Sequence, residues 1–102
     1  MITILVKRQN QSLILDIQGH ALFAPKGDDI VCAGVSTASI MTANLFEQVT
    51  HTTSHLTDGR LTVTVHTFLS SHQYILDVYK KAIDDIDASY PGYVIWKESE
   101  EA

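Results

Sequence analysis

Residues 18–46 read QGHALFAPKGDDIVCAGVSTASIMTANLF, and they join the end of a predicted strand to the start of a predicted helix. His20 follows directly after a stretch in which apolar and other residues alternate. Residues 21–29 contain a proline, a glycine and two aspartates, which predicts a loop. From about Cys32 to Val49 the apolar residues recur at steps of three and four, which is typical of an amphipathic helix. The stretch therefore predicts a strand, a loop and a helix in succession.

The loop has a histidine at one end and a thiol at the other. Cys32 is the only cysteine, and His20 precedes it by twelve residues. A helix N-terminus favours negative charge, so a thiol there favours the thiolate, and a histidine across the loop would accept its proton. Cys32 is therefore a candidate nucleophile and His20 a candidate general base. The alternative is that Cys32 is a small buried hydrophobic residue.

Four neighbouring residues are candidates for supporting roles. Asp29 would either orient the histidine or cap the helix, because aspartate is a preferred N-cap residue. Gly19 would let the chain turn so that the histidine faces the thiol. Gly34 would leave room for a substrate carbonyl beside backbone N–H groups of residues 32–34, or would allow tight packing of the helix against the sheet. Ser36, one turn after the cysteine, would hydrogen-bond near the thiolate or cap local backbone.

The remaining chain predicts a β-β-α-β-β-α-β order. Strands are expected at residues 2–7, 13–18, 54–57, 61–66 and 93–96, with a hairpin turn at Asp58-Gly59. Apolar residues between Tyr74 and Ile86 predict a second amphipathic helix, opened by a capping box at Ser70 and Gln73. Residues 98–102 are expected to fray. These elements predict an α+β fold with a mostly antiparallel sheet and two packed helices.

Composition limits the classes of function. The 102 residues predict a single domain over residues 1–102, and the net charge of −5 argues against nucleic-acid binding. One cysteine allows no internal disulfide. No leader and no apolar run near the roughly 18 residues of a membrane span are evident, so we expect a cytoplasmic protein with no membrane partner. His51 and His55 lie in a Thr-rich stretch without acids, so neither a metal nor another cofactor is expected.

Taken together, Gly19-His20-Ala21, a loop glycine, Asp29 to Ala33 and Val35-Ser36 resemble the ribosomal-processing cysteine protease (Prp) family. The resemblance implies a homodimeric cytoplasmic endopeptidase with a Cys–His dyad at Cys32 and His20, supported by Gly19, Asp29 and Ser36. Its implied substrate is the N-terminal extension of a large-subunit ribosomal protein (number twenty-seven), cut after aromatic residues. Asp28 and Pro25-Lys26 depart from the family pattern, which affects loop flexibility and specificity rather than the nucleophile.

The loop at residues 21–28 is predicted to act as a gate, because only Leu22 and Phe23 offer it apolar anchors. Loops of this kind have low local stability. We expect the loop to hinge near Gly19 and Gly27 and to close over bound peptide, with Leu22 or Phe23 contacting the aromatic residues of the substrate.

The sequence is compatible with two further classes of function. The chain would be a non-catalytic acidic module that binds ribosomal components, or an enzyme with another substrate. Alkylation separates the first from a protease, because an activated thiol reacts rapidly and a buried one does not. A dimer is also expected on physical grounds, since helices on one face of a sheet leave apolar surface exposed.

Overall fold

The strands and helices follow one another in the predicted order in a computed structural model of the chain. The structure describes residues 1–25 and 27–101, and at Glu101 the backbone alone. The elements are β1 (Ile2–Gln9), β2 (Ser12–Gly19), α1 (Ile30–Val49), β3 (Thr52–Thr57), β4 (Arg60–Val65), a 3-10 turn (Ser70–His72), α2 (Gln73–Ser89) and β5 (Val94–Glu101). The α+β prediction is confirmed.

The five strands form one sheet in the order β3-β4-β2-β1-β5. Three of the neighbouring pairs are antiparallel, and β5 lies parallel to β1 with Val94 opposite Ile2. The sheet is therefore mixed but mostly antiparallel. The β1–β2 register places Ile2 opposite Gly19, so the chain start lies beside the point where β2 ends.

One face of the sheet carries both helices. Alternate strand residues are fully or almost fully buried there, among them Ile4, Val6, Leu13, Leu15, Val63 and Val65. Because side chains alternate between the faces of a strand, this pattern fixes one core face. The helices close the core with Val31, Val35, Phe46, Ile75, Leu76, Tyr79 and Ile83.

Several element ends differ from the predictions. The N-cap of α2 is His72, which makes no side-chain cap bond, and the Gln73 side chain instead donates to Asp77 and accepts from Arg8. The predicted capping box at Ser70 and Gln73 is therefore wrong. The last strand continues to Glu101 because it pairs with β1 along its length, so the expected fraying at residues 98–101 is also wrong; Ala102 lies outside the described residues.

The apolar surface lies mainly on the helical layer. Polar and charged side chains predominate on the outer face of the sheet, where Ile95 is an exposed large apolar residue. The exposed large apolar residues on the helices are Ile30, Ile40, Met41, Leu45, Val49, Tyr74 and Val78. α1 is long and apolar enough to cross a membrane by length and composition only, with a mean hydropathy of 1.3 over 18 residues, so the expectation that no apolar stretch approaches that length is wrong. Core helices have the same composition, and α1 buries one face against the sheet.

Candidate active site

A cavity of about 890 Å³ opens between the start of α1, the end of β2 and the β3–β4 turn. Cys32 and His20 both line it. Of the other predicted site residues, the structure brings Gly19, Leu22, Asp29 and Ser36 to the same wall. Phe23 and Gly34 lie outside the lining. The nucleophile and base predicted from the sequence thus line the same cavity, although they are twelve positions apart along the chain.

Cys32 lies in the first turn of α1. The helix begins at Ile30, two residues earlier than the periodicity predicted, and Asp29 is its N-cap residue. Cys32 is half-buried and contacts the core from the cavity side. This position brings the thiol close to the N-terminal N–H groups of the helix, where negative charge is favoured.

Asp29 holds both ends of the loop. Its Oδ1 accepts a hydrogen bond from the backbone N–H of Cys32 at 2.9 Å, and its Oδ2 accepts one from the N–H of Phe23 at 3.0 Å. The Cys32 bond is the main reason that the pKa of Asp29 is lowered from its ordinary value, and the Phe23 bond adds to it, while desolvation acts in the opposite direction. These contacts support the capping role, and no hydrogen bond joins Asp29 to His20 among the described residues.

The same bonds affect where an oxyanion would bind. The N–H of Ala33 donates to the backbone oxygen of Asp29 at 3.1 Å, and the N–H of Cys32 donates to the Asp29 carboxylate. Both groups would have to leave Asp29 before they stabilised a tetrahedral intermediate. The structure therefore does not support the predicted oxyanion hole at these two N–H groups.

The backbone around His20 is held by the chain start and by the β3–β4 turn. The Met1 amino group donates to the His20 carbonyl oxygen, and the Gly19 N–H donates to the Gly59 carbonyl oxygen at 2.9 Å. Gly19 has φ +96°, and a Cβ at this position would collide with the backbone oxygen of Met1. Glycine is therefore required at position 19, in agreement with the predicted turn before the histidine.

Phe23 and Gly34 have surroundings other than those predicted. The Phe23 ring packs edge-to-face on both Tyr90 and Tyr93, with centroid distances of 5.2 Å each. A Cβ at Gly34 would contact Ile86 Cδ1 at 3.4 Å, so this glycine faces α2 and packs closely against that helix rather than against the sheet, which was the alternative. The structure thus gives neither residue a place in the cavity wall as a substrate contact.

The loop has more anchors than the sequence predicted. Ala21 is buried, Phe23 packs on the two tyrosines, and the Asp28 N–H donates to the Pro25 carbonyl oxygen at 2.9 Å. Leu22 is 77% exposed, has φ +59° and lines the cavity, so it is the loop residue placed to contact a peptide. Lys26, part of the predicted gate and of the noted departure from the family pattern, lies outside the described residues.

Several lining residues were missed in the sequence. Among them are Ser39 and Ile40 on α1 and Leu56, Thr57 and Arg60 beside the β3–β4 turn. Leu56 is 63% exposed in an otherwise polar edge strand, which is an unusual position for leucine and was the only available signal. Ser39 is buried, and its hydroxyl donates to the Val35 carbonyl oxygen at 2.7 Å, so the Tyr79 hydroxyl, 2.6 Å away, must donate to it.

The histidines outside the cavity form no cluster that indicates a metal ligand set. His51 and His66 stack with ring centroids 4.3 Å apart, and His66 Nε2 lies 3.0 Å from Thr53 Oγ1. Within residues 1–25 and 27–101, no three His, Cys, Asp or Glu side chains are grouped so that they would hold a metal ion.

The chain is similar to a known protein family and to several solved structures. The model of the cysteine protease Prp family matches residues 1–95, whereas no curated protein sequence matches significantly. Among solved structures, the essential ribosomal processing protease Prp of Staphylococcus aureus, with a covalently linked product peptide, has a TM-score of 0.78 and 24% identity over 97% of this chain and 100% of its own.

Two further solved structures are similar in fold. A Streptococcus mutans protein has a TM-score of 0.70 and 23% identity, covering 99% of this chain and 96% of its own. The S. aureus protease with a substrate peptide has a TM-score of 0.70 and 20% identity over 97% and 100% of the two chains. At these identities the likeness shows the shared fold.

Proposed function

The chain belongs to the cysteine protease Prp family, which makes it a cysteine protease, and we propose that it removes the N-terminal extension of large-subunit ribosomal protein number twenty-seven. The observation that carries the proposal is that the only cysteine, Cys32, lies at a helix start and shares a cavity with His20. The S. aureus relative is a ribosomal processing protease that has been seen with substrate and with covalently linked product peptides, which supports the same class of substrate here. We place the reaction in the cytoplasm.

In the proposed mechanism His20 takes the proton of the Cys32 thiol, and the thiolate attacks the carbonyl carbon of the scissile peptide bond. The tetrahedral intermediate collapses when the C–N bond breaks, and the protonated His20 gives its proton to the leaving amine. Water, deprotonated by His20, then hydrolyses the thioester and restores the thiol. Asp29 supports this mechanism because its carboxylate accepts the 2.9 Å hydrogen bond from the Cys32 N–H, which fixes the start of α1 and the backbone of Cys32.

The cavity wall favours apolar substrate side chains. Leu22, Ile40 and Leu56 are exposed large apolar residues that line it from three different elements. A peptide that covered them would remove apolar surface from water, which stabilises the complex. This chemistry suits the aromatic residues that the family resemblance implies before the cut.

The test is cleavage of a synthetic peptide that contains the extension of the ribosomal protein from the same organism. Cys32→Ala and His20→Ala should each abolish cleavage and keep the melting temperature, because each removes one member of the dyad. His55→Ala is the matched control, since His55 is exposed on β3 and does not line the cavity. If Cys32→Ala still cleaved the peptide, the mechanism would be wrong.

A homodimer is also part of the proposal. The contacts of Ser39 with Tyr79 and of Gly34 with Ile86 set an antiparallel α1–α2 register, which places Met41 and Leu45 beside Tyr74 and Val78. These four side chains are all exposed and apolar, and an isologous interface would pair the same surface on two copies.

Sedimentation tests the dimer. The unchanged protein should be dimeric at micromolar concentration, and Val78→Glu should shift it to the monomer because a buried unpaired carboxylate is costly. Ile95→Glu, on the outer face of the sheet, is the control and should leave the dimer intact. A monomeric unchanged protein would contradict the proposal, as would a dimer that Val78→Glu does not weaken.

A further inference from the structure

The imidazole of His20 lies directly against Gly59 in the β3–β4 turn. A Cβ at position 59 would lie 2.9 Å from His20 Nε2, 3.5 Å from Cε1 and 3.7 Å from Cδ2. Real Cβ atoms essentially never approach another heavy atom within 3.0 Å. The ring edge that carries Nε2 therefore occupies space that only a glycine at position 59 leaves free.

The backbones of the two sites are held together as well. The Gly19 N–H donates to the Gly59 carbonyl oxygen, and in the adjoining β2–β4 ladder Gln18 pairs with Arg60. His20 and Gly59 thus stand at matching ends of neighbouring strands. Gly59 has φ +76°, which suits the turn and directs its Cα hydrogen, rather than a side chain, at the ring.

We propose that Gly59 is a positioning residue that seats the His20 imidazole and thereby sets its orientation toward Cys32. The inference rests on the proposed function, in which His20 is the general base. A methyl group at position 59 would meet the far end of a side chain that turns about two bonds, so the ring would move while the backbone kept its place. General base catalysis depends on this placement, because the base must lie within hydrogen-bond reach of the thiol.

The other glycines supply the control. Gly92 also has positive φ, +93°, but a Cβ there would have no heavy atom within 4 Å. Gly92→Ala therefore imposes the same kind of left-handed backbone strain as Gly59→Ala without touching the histidine. Gly19 is unsuitable, because a Cβ there would collide with backbone that cannot turn aside.

The experiment compares Gly59→Ala with Gly92→Ala in two measurements. The first is the NMR spectrum of the histidine rings, in which the signals assigned to His20 through His20→Ala should move in Gly59→Ala alone. The second is peptide cleavage, in which kcat should fall about 100-fold relative to Gly92→Ala, the cost typical of a misplaced catalytic group. If both the ring signals and kcat matched those of Gly92→Ala, the proposal would be overturned.

A third variant covers the case in which Gly59→Ala does not fold. In the His20→Ala background the ring is absent, so adding Gly59→Ala should lower the melting temperature no more than adding Gly92→Ala does. A larger decrease in melting temperature would show that Gly59 is required for the turn alone, and the proposed positioning of His20 by Gly59 would be refuted. If the unchanged protein showed no Cys32-dependent cleavage, the proposed function would be refuted. The His20 ring signals and this melting comparison would still show whether Gly59 positions the His20 ring.

Discussion

Replacing Phe23 with alanine tests whether the loop between His20 and Cys32 is anchored by the two tyrosines that follow α2. The Phe23 ring makes edge-to-face contacts with Tyr90 and with Tyr93, each at 5.2 Å between centroids. Such pairs contribute about 0.5–1.5 kcal/mol each, so removing both should lower the free energy of loop opening by about 1–3 kcal/mol.

Amide hydrogen exchange measures that free energy directly. The N–H groups of Phe23 and Asp28 are both hydrogen-bonded within the loop, to Asp29 and to Pro25, so they exchange only when the loop opens. A decrease of about 1–3 kcal/mol predicts roughly 5- to 150-fold faster exchange at both positions in Phe23→Ala. The N–H at position 23 is still present in the variant, so the same signal is compared.

Phe68→Ala is the matched control. Phe68 is a half-buried aromatic residue that packs edge-to-face on Phe46, and its N–H bonds to Gln11 in the β1–β2 turn, at the opposite end of the sheet from the cavity. The Phe68→Ala substitution should leave amide exchange in the loop between His20 and Cys32 unchanged. Unaltered loop exchange in Phe23→Ala would refute the proposal that Phe23 anchors the loop.

An uncleavable peptide should slow exchange in residues 21–28 of the unchanged protein, and equal protection with and without the peptide would exclude the predicted gate.

Two pH-dependent effects follow from the structure. Because the pKa of Asp29 is lower in the folded protein than in the unfolded chain, its carboxylate stabilises the fold at neutral pH, and this stability is lost as the pH falls below about 4. Acid unfolding curves of Asp29→Asn should lack that loss. Near-normal cleavage by this variant at neutral pH would confirm the capping role. Burial raises the pKa of Tyr79 to about 12, so as the pH rises the Tyr79 hydroxyl loses its proton in the unfolded chain before it does so in the folded protein. The free energy of unfolding should therefore fall between about pH 10 and 12, by up to roughly 1.4 kcal/mol per pH unit. Tyr79→Phe should lack this alkaline slope in chemical denaturation, and an unchanged slope would contradict the assignment.

The amino-acid sequence determined the local elements and singled out the candidate residues of the site. Period-two alternation predicted the strands, and steps of three and four predicted the helices, because each pattern reports which side of an element is buried. Asp29 before an apolar helix indicated the cap as one of two possible roles, and Asp58-Gly59 predicted the turn. Cys32 and His20 stood out because their residue types carry nucleophilic and base chemistry at the two ends of one loop.

The tertiary structure decided which elements are neighbours. Periodicity marks a buried face but does not name what covers it, so the parallel pairing of β5 with β1 could not be predicted from the local patterns. For the same reason Phe23 was predicted as a substrate contact, although Tyr90 and Tyr93, almost 70 residues later, lie against it. Gly59 was recognised only as a turn residue, because its contact with the His20 ring exists only once β2 and β4 pair.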